Sequence, residues 1–173
     1  MLTNSPVKVP ADLKGVRVRT PGAPVWLETV RAMGATPTGM PWSEVYSALQ
    51  TRVIDGAEAQ HPAVYGARLY EVVKIITKTE HIYLITGIVT SRVWFDKLPA
   101  DQQAILSEES FAAGRGACEA TIASLADYEK KLREKGVTIV EIDKAPFKAA
   151  TAGVYQTLGY SDLRKDVDKA LGK

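Results

Sequence analysis

Cysteine is nearly absent from this sequence: Cys118 is the only one in 173 residues. An intrachain disulfide and a cysteine-based zinc cluster are therefore excluded. One thiol fits a reducing compartment and fits equally a periplasmic protein without disulfides. Histidine is scarce as well. His61 and His81 are the only two, and neither has a partner at a metal-ligand spacing such as HExxH. Neither sign of charge dominates. The 22 basic and 20 acidic side chains leave a net of +2, which excludes the basic footprint of a nucleic-acid binder. No apolar run approaches the ~20 residues of a membrane span; the longest, at 82–89, is broken by Thr86 and Gly87. The first six residues hold no basic stretch followed by an apolar core, so no signal peptide is visible.

Enzyme signatures are missing too. There is no GxSxG elbow. The GATPTG run at 34–39 is followed by Met40 and Pro41 rather than the Lys and Ser/Thr of a phosphate loop, and reads as a helix stop and a turn. Gly114, Arg115 and Gly116 fall inside a predicted helix, not after a strand, so they do not form a dinucleotide fingerprint. Cys118 has no positioned base near it in sequence and reads as a small buried hydrophobe.

What is present is ordinary globular composition, 46% hydrophobic and 24% charged. The length suits one domain or one and a fraction. Residues 1–14 read as an extended arm punctuated by Pro6 and Pro10. VRVR at 16–19 alternates like a half-buried strand. A short helix follows and closes at Gly34, then an extended run at 35–40, then a helix opened by Pro41, Trp42 and Ser43 with Ser43 as its N-cap. Val53 and Ile54 form a third strand that runs into the Asp55–Gly56 turn, and a helix occupies 62–73. Strand and helix alternate, which favours an α/β sheet with crossover helices. Residues 74–77 and 81–90 are rich in β-branched and aromatic side chains and read as strands. From 99 to 135 the spacing predicts one helix about 50 Å long at 1.5 Å per residue. Gly114 and Gly116 inside it mark either a close packing point or a break. A strand at 137–142 and helices at 146–158 and 160–171 complete the chain.

Arg19 stands at the C-terminal end of a predicted strand, beside a Pro-Gly turn. Ligands of open α/β sheets sit at that edge, and arginine offers two parallel donors that match a carboxylate. From position alone Arg19 is either such a contact or a surface charge, as Arg17 is read. Trp42 is a ligand platform or core. Glu58, Gln60 and His61 follow the third strand and are ligand contacts or a solvated loop. Asp55 and Glu58 form a carboxylate pair that a surface turn explains equally well.

Several long runs narrow these alternatives: ADLKGVRVR at 11–19, MGATPT at 33–38, MPWSEVYSALQ at 40–50, VIDGAE at 53–58 and YEV at 70–72. Trp94, the Leu98–Pro99 pair, Gln102, and a strand ending at Asp143 with Phe147 after it accompany them. Together they resemble the solute-binding proteins of tripartite ATP-independent periplasmic (TRAP) transporters, over nearly the whole chain. The similarity is to those for C4-dicarboxylates and other small organic acids.

The resemblance implies a two-lobed α/β clamp of the type II periplasmic-binding-protein kind, with a long connecting helix. It implies a binding protein and not an enzyme, a periplasmic setting, TRAP membrane subunits as partners and a small organic anion as ligand. It names no cofactor and no nucleic-acid partner. Arg19 corresponds to the arginine that pairs with the ligand carboxylate, and Trp42 to an aromatic against the ligand. The loop at 55–61 supplies a polar side chain in many members. Here Ala59 stands where many have asparagine, so Gln60 or His61 would substitute. Glu58 corresponds to a glutamate that in some members helps hold a cation, but nothing else in the sequence supports a metal. Members are longer than this chain. By their layout residues 1–83 and 125–173 build one lobe, and residues 84–124 belong to another that is largely missing. A truncated reading frame or a piece of a longer parent is expected. As translated here, without a leader, the chain would stay in the cytoplasm. Two other readings stand beside this one: a self-associating remnant without ligand binding, in which the 84–124 segments pair in a homodimer, and an enzyme of small acids.

Overall fold

The computed structural model describes residues 1–172. The chain divides into two compact units, one of Met1–His81 with the chain from Glu129 onward, the other of Ile82–Tyr128.

The first unit is built on a six-stranded sheet. Its strands are β1 (Leu2–Thr3), β2 (Arg17–Thr20), β3 (Thr36–Gly39), β4 (Gly56–Ala57), β5 (Ile75–Thr77) and β6 (Thr138–Val140), in the order β3-β2-β4-β1-β5-β6. β2 pairs parallel with β3 and β4, and β5 parallel with β6. β1 is antiparallel to both of its neighbours. Five strands therefore end at one common edge, and β1 begins there. Helices α1 (Pro24–Ala32), α2 (Val45–Gln50) and α3 (His61–Gly66) form the early crossovers, and α6 (Ala145–Thr151), α7 (Val154–Thr157) and α8 (Ser161–Ala170) follow β6.

Successive residues of a strand face opposite sides. Met1 accordingly packs with Val7, Leu13, Val18, Val30, Met33 and Phe147 in one apolar cluster. Leu2 packs with Val45, Leu49, Ile54, Val64, Leu69, Ile76, Leu132 and Ile139 in the other.

Several local expectations are corrected. The opening arm includes β1, in the middle of the sheet, where Leu2 pairs with both Ala57 and Ile76. The third strand is Gly56–Ala57 and not Val53–Ile54; Val53 is exposed. A Cβ on Gly56 would lie 2.5 Å from the Leu2 carbonyl oxygen, so glycine permits the close approach of β1. The helix expected at 62–73 stops at Gly66, and Arg68 takes a left-handed conformation (φ 55°) before a 3-10 turn at Leu69–Glu71. Ser43 is not an N-cap; it lies within a 3-10 turn, Trp42–Glu44, that Pro41 leads.

The second unit holds α4 (Arg92–Phe95), with Ser91 accepting a bond from the Trp94 amide, and most of α5 (Ala100–Glu134). The predicted long helix is continuous through Gly114 and Gly116, and a Cβ at either would meet nothing within 4 Å. Neither glycine is a break or a close packing point. The strand expected at 81–90 does not form. Ile85 and Val89 are each 91% exposed, with Tyr83, Leu84 and Ile88 also exposed. High β propensity expresses packing against neighbours on a sheet, and this segment pairs with none.

Candidate functional site

The common edge of the sheet gathers the polar residues. Arg19 ends up there because β2 carries it through the core beside Val18, which has no exposed surface. Arg19 itself is only 5% exposed. Its Nε and Nη2 both donate to the Met40 carbonyl, at 2.9 and 2.8 Å. Its guanidinium carbon lies 5.3 Å from the centre of the Trp42 ring, which is 39% exposed. Burial pulls the Arg19 pKa below the ordinary arginine value, and the nearby Glu58 charge opposes that pull.

Glu58 follows β4 and is 8% exposed. Its amide donates to the Arg19 carbonyl at 3.2 Å, which continues the β2–β4 pairing past the strand end. Its carboxylate accepts the Thr20 hydroxyl at 3.4 Å. Burial raises its pKa above the ordinary carboxylate range, while Arg19, the Met1 ammonium and the Thr20 bond each work to lower it.

Arg17, two residues earlier, has a different fate. It donates to both Asp55 oxygens at 2.8 Å and to the Arg52 carbonyl, in an exposed pair. Asp55 is held down to about 2, chiefly by that side-chain bond. This settles Asp55 as a structural partner of Arg17, apart from Glu58.

The structure thus brings Arg19, Trp42 and Glu58 together. Gln60 precedes α3, is exposed, and its side chain makes no cap bond. His61 opens α3 with its Nδ1 3.6 Å from Glu129 Oε1. Glu129 also meets Lys78 Nζ at 2.9 Å, and Lys78 meets Glu141 at 2.7 Å. Burial lowers the His61 pKa against the Glu129 charge. Ala59, between Glu58 and Gln60 in the chain, is half-buried.

Two contributors escaped the sequence reading, the Met40 carbonyl and the Thr20 hydroxyl. No side-chain type announces the first; the second was legible as the last residue of the strand that carries Arg19. At the end of β5, the Thr79 hydroxyl and His81 Nδ1 are 2.7 Å apart. His81 Nε2 and the Thr77 hydroxyl are buried with no hydrogen-bonding partner among the described residues. Burial brings the His81 pKa down to about 3. Among the described residues no cluster of three or more His, Cys, Asp or Glu side chains is placed to hold a metal. A cavity of about 370 Å³ lined by Asn4, Asp12, Arg52 and Asp55 lies at the opposite edge of the sheet, away from Arg19. No described helix is long and apolar enough to cross a membrane.

Residues 1–162 match the family of bacterial extracellular solute-binding proteins, family 7 (DctP). The 2,3-diketo-L-gulonate-binding periplasmic protein YiaO of Escherichia coli K12 is 31% identical over 170 residues, covering 96% of this chain and 52% of YiaO. A TRAP periplasmic solute-binding protein from Escherichia fergusonii, an apo open structure, superposes with a TM-score of 0.88 at 48% identity, over 97% of this chain and 57% of that one. Another from Pseudomonas putida F1, with bound D-glucuronate, gives a TM-score of 0.91 at 36% identity over 96% of this chain and 55% of that one. The chain spans about half the length of the curated relatives it matches.

Proposed function

The chain belongs to the bacterial extracellular solute-binding proteins of family 7, and we propose that it binds a small organic carboxylate through Arg19. The observation that carries this reading is the state of the Arg19 fork. Met40 takes up the Nε–Nη2 edge, so the guanidinium is oriented before any ligand arrives, and the Nη1–Nη2 edge keeps the two parallel donors that suit a carboxylate. Trp42 gives the same site a half-open apolar wall. Glu58 beside it offers an acceptor for a ligand hydroxyl.

The Glu58 carboxylate beside Arg19 favours a ligand that brings a hydroxyl to this side of the site over one that brings a second carboxylate. The ligands in the names of YiaO and of the Pseudomonas putida structure, a diketo-gulonate and a glucuronate, are of this kind. C4-dicarboxylates are the alternative class. Ala59 leaves a donor out of the loop, which leaves the ligand hydroxyls to Glu58 and Gln60.

We further propose the setting: a periplasmic receptor that hands its ligand to TRAP membrane subunits. In this reading residues 1–83 and 125–173 form one lobe of a clamp. The segment 84–124 belongs to the second lobe, most of which lies in the portion of the relatives that this chain does not span. The exposed apolar side chains between Tyr83 and Leu125 favour a second copy as their cover in the isolated chain.

The test is titration of the chain with D-glucuronate and with succinate, read by tryptophan fluorescence with Trp42→Phe as the control that identifies the Trp42 contribution. One charge-assisted bond contributes roughly 1.5–3 kcal/mol, against about 4.1 kcal/mol for a millimolar site, so millimolar or weaker binding is expected. Saturable binding of D-glucuronate that Arg19→Ala abolishes supports the reading. Equal binding by the Ala variant overturns it.

A further inference from the structure

Three consecutive residues hold Arg19 in place. Met40 supplies the carbonyl that takes Nε and Nη2, and the centre of the Trp42 ring lies 5.3 Å from the guanidinium carbon. Between them stands Pro41 (φ −57°, ψ 147°). We propose that Pro41 is a positioning residue for the anion site: it fixes the Met40 carbonyl and the Trp42 ring relative to one another, and so fixes the direction of the Arg19 fork. This inference rests on Arg19 being the anion anchor.

The physical reason lies in the chain geometry. β3 ends at Gly39, so the Met40–Pro41 peptide plane lies beyond the sheet ladder. The Met40 amide still donates to Thr20, at 3.3 Å, but no strand neighbour holds the Met40 carbonyl. Proline restores that restraint by two routes. Its ring locks its own φ, and its Cδ confines the preceding residue to extended conformations. The Pro41 carbonyl accepts from the Glu44 amide at 3.2 Å, closing the 3-10 turn that carries Trp42. The whole segment is thereby fixed at both ends, and an arginine with many rotamers is left with one.

Replacing Pro41 releases the φ of residue 41 and reopens the helical region to Met40, so the bonds from Arg19 to the Met40 carbonyl open more often. The readout is hydrogen exchange of the arginine Nε–H groups by NMR on the ¹⁵N-labelled chain, without any ligand. Arg19 is assigned by the signal that Arg19→Lys removes. Arg17, whose Nε donates to Asp55 at 2.8 Å, is the internal reference on the same strand.

The expected result is that Pro41→Ala and Pro41→Gly speed Arg19 Nε–H exchange, the glycine variant more, and leave Arg17 unchanged. Unchanged exchange at Arg19 overturns the proposal. Equal acceleration at Arg17 and Arg19 also overturns it, since that reports loss of structure rather than of orientation. A D-glucuronate titration separates the proposal from the reading beneath it. If Pro41→Gly frees Arg19 while Arg19→Ala binds D-glucuronate as the wild type does, the positioning holds and the anion anchor fails.

Discussion

The Arg19 guanidinium carbon lies 5.3 Å from the centre of the Trp42 ring. The contact is an attraction between the cation and the indole ring, and Nε and Nη2 at the same time donate to the Met40 carbonyl. A cation over an indole at a partly exposed site contributes about 0.5–1 kcal/mol. Trp42→Leu should therefore lose about that much stability relative to Trp42→Phe in urea unfolding. Equal unfolding midpoints for the two variants would show that the contact contributes nothing.

Glu58 is held above the ordinary carboxylate range by its burial. A group whose folded pKa is raised contributes stability below its unfolded pKa, near 4.3, and that contribution is lost as pH rises through the folded value. Glu58→Gln removes the titration. The variant should gain on the wild type as pH is raised from about 4 to about 7. Urea midpoints at the two pH values check this, and parallel curves for the two proteins contradict it.

Asp55 is displaced the other way, down to about 2, by its bonds with Arg17. A depressed acid contributes stability above its unfolded pKa, near 3.9, and loses it as pH falls through the folded value. Asp55→Asn should be less stable than the wild type at neutral pH and converge with it as pH falls towards 2. Both side chains are well exposed, so solvent screens the pair and the gap at neutral pH should be small. A gap that persists at the acid end would rule out the linkage.

Gly56→Ala should separate β1 from β4. The new Cβ would meet the Leu2 carbonyl oxygen at 2.5 Å and Thr3 Cγ2 at 3.0 Å, and backbone cannot move aside as a side-chain tip can. A loss above the usual 0.5–3 kcal/mol range, roughly 4 kcal/mol, is expected by thermal unfolding. A midpoint within a degree or two of wild type would contradict the register of β1.

The exposed apolar side chains of the second unit, Ile85 and Val89 among them, should drive self-association, since clustered apolar side chains left open mark interaction sites. Sedimentation at micromolar concentration should show a dimer that Ile85→Lys or Val89→Lys dissociates. A single species at 18.8 kDa for the wild type would count against pairing.

The α/β alternation, the strand that carries Arg19, the long helix at Ala100–Glu134 and the absence of enzyme signatures were legible in the residues themselves. Each depends on local periodicity, spacing or residue type, and those survive without knowledge of what packs where. The residues that support Arg19 were not legible. The acceptor on Arg19 is a backbone carbonyl, which every residue has, and only folding decided that Met40 would present it. Gln60 and His61 looked equivalent to Glu58 in sequence. Tertiary structure separated them, because the turn out of β4 buries Glu58 beside Thr20 and sends His61 to Glu129. The arm at the start of the chain showed the same limit: two residues, Leu2 and Thr3, carry no periodicity, and became a central strand only because Gly56 let them approach. Residues 81–90 erred in the other direction. Their side chains specify a strand, but a strand needs an edge to pair with, and that is decided by what surrounds the segment rather than by the segment itself.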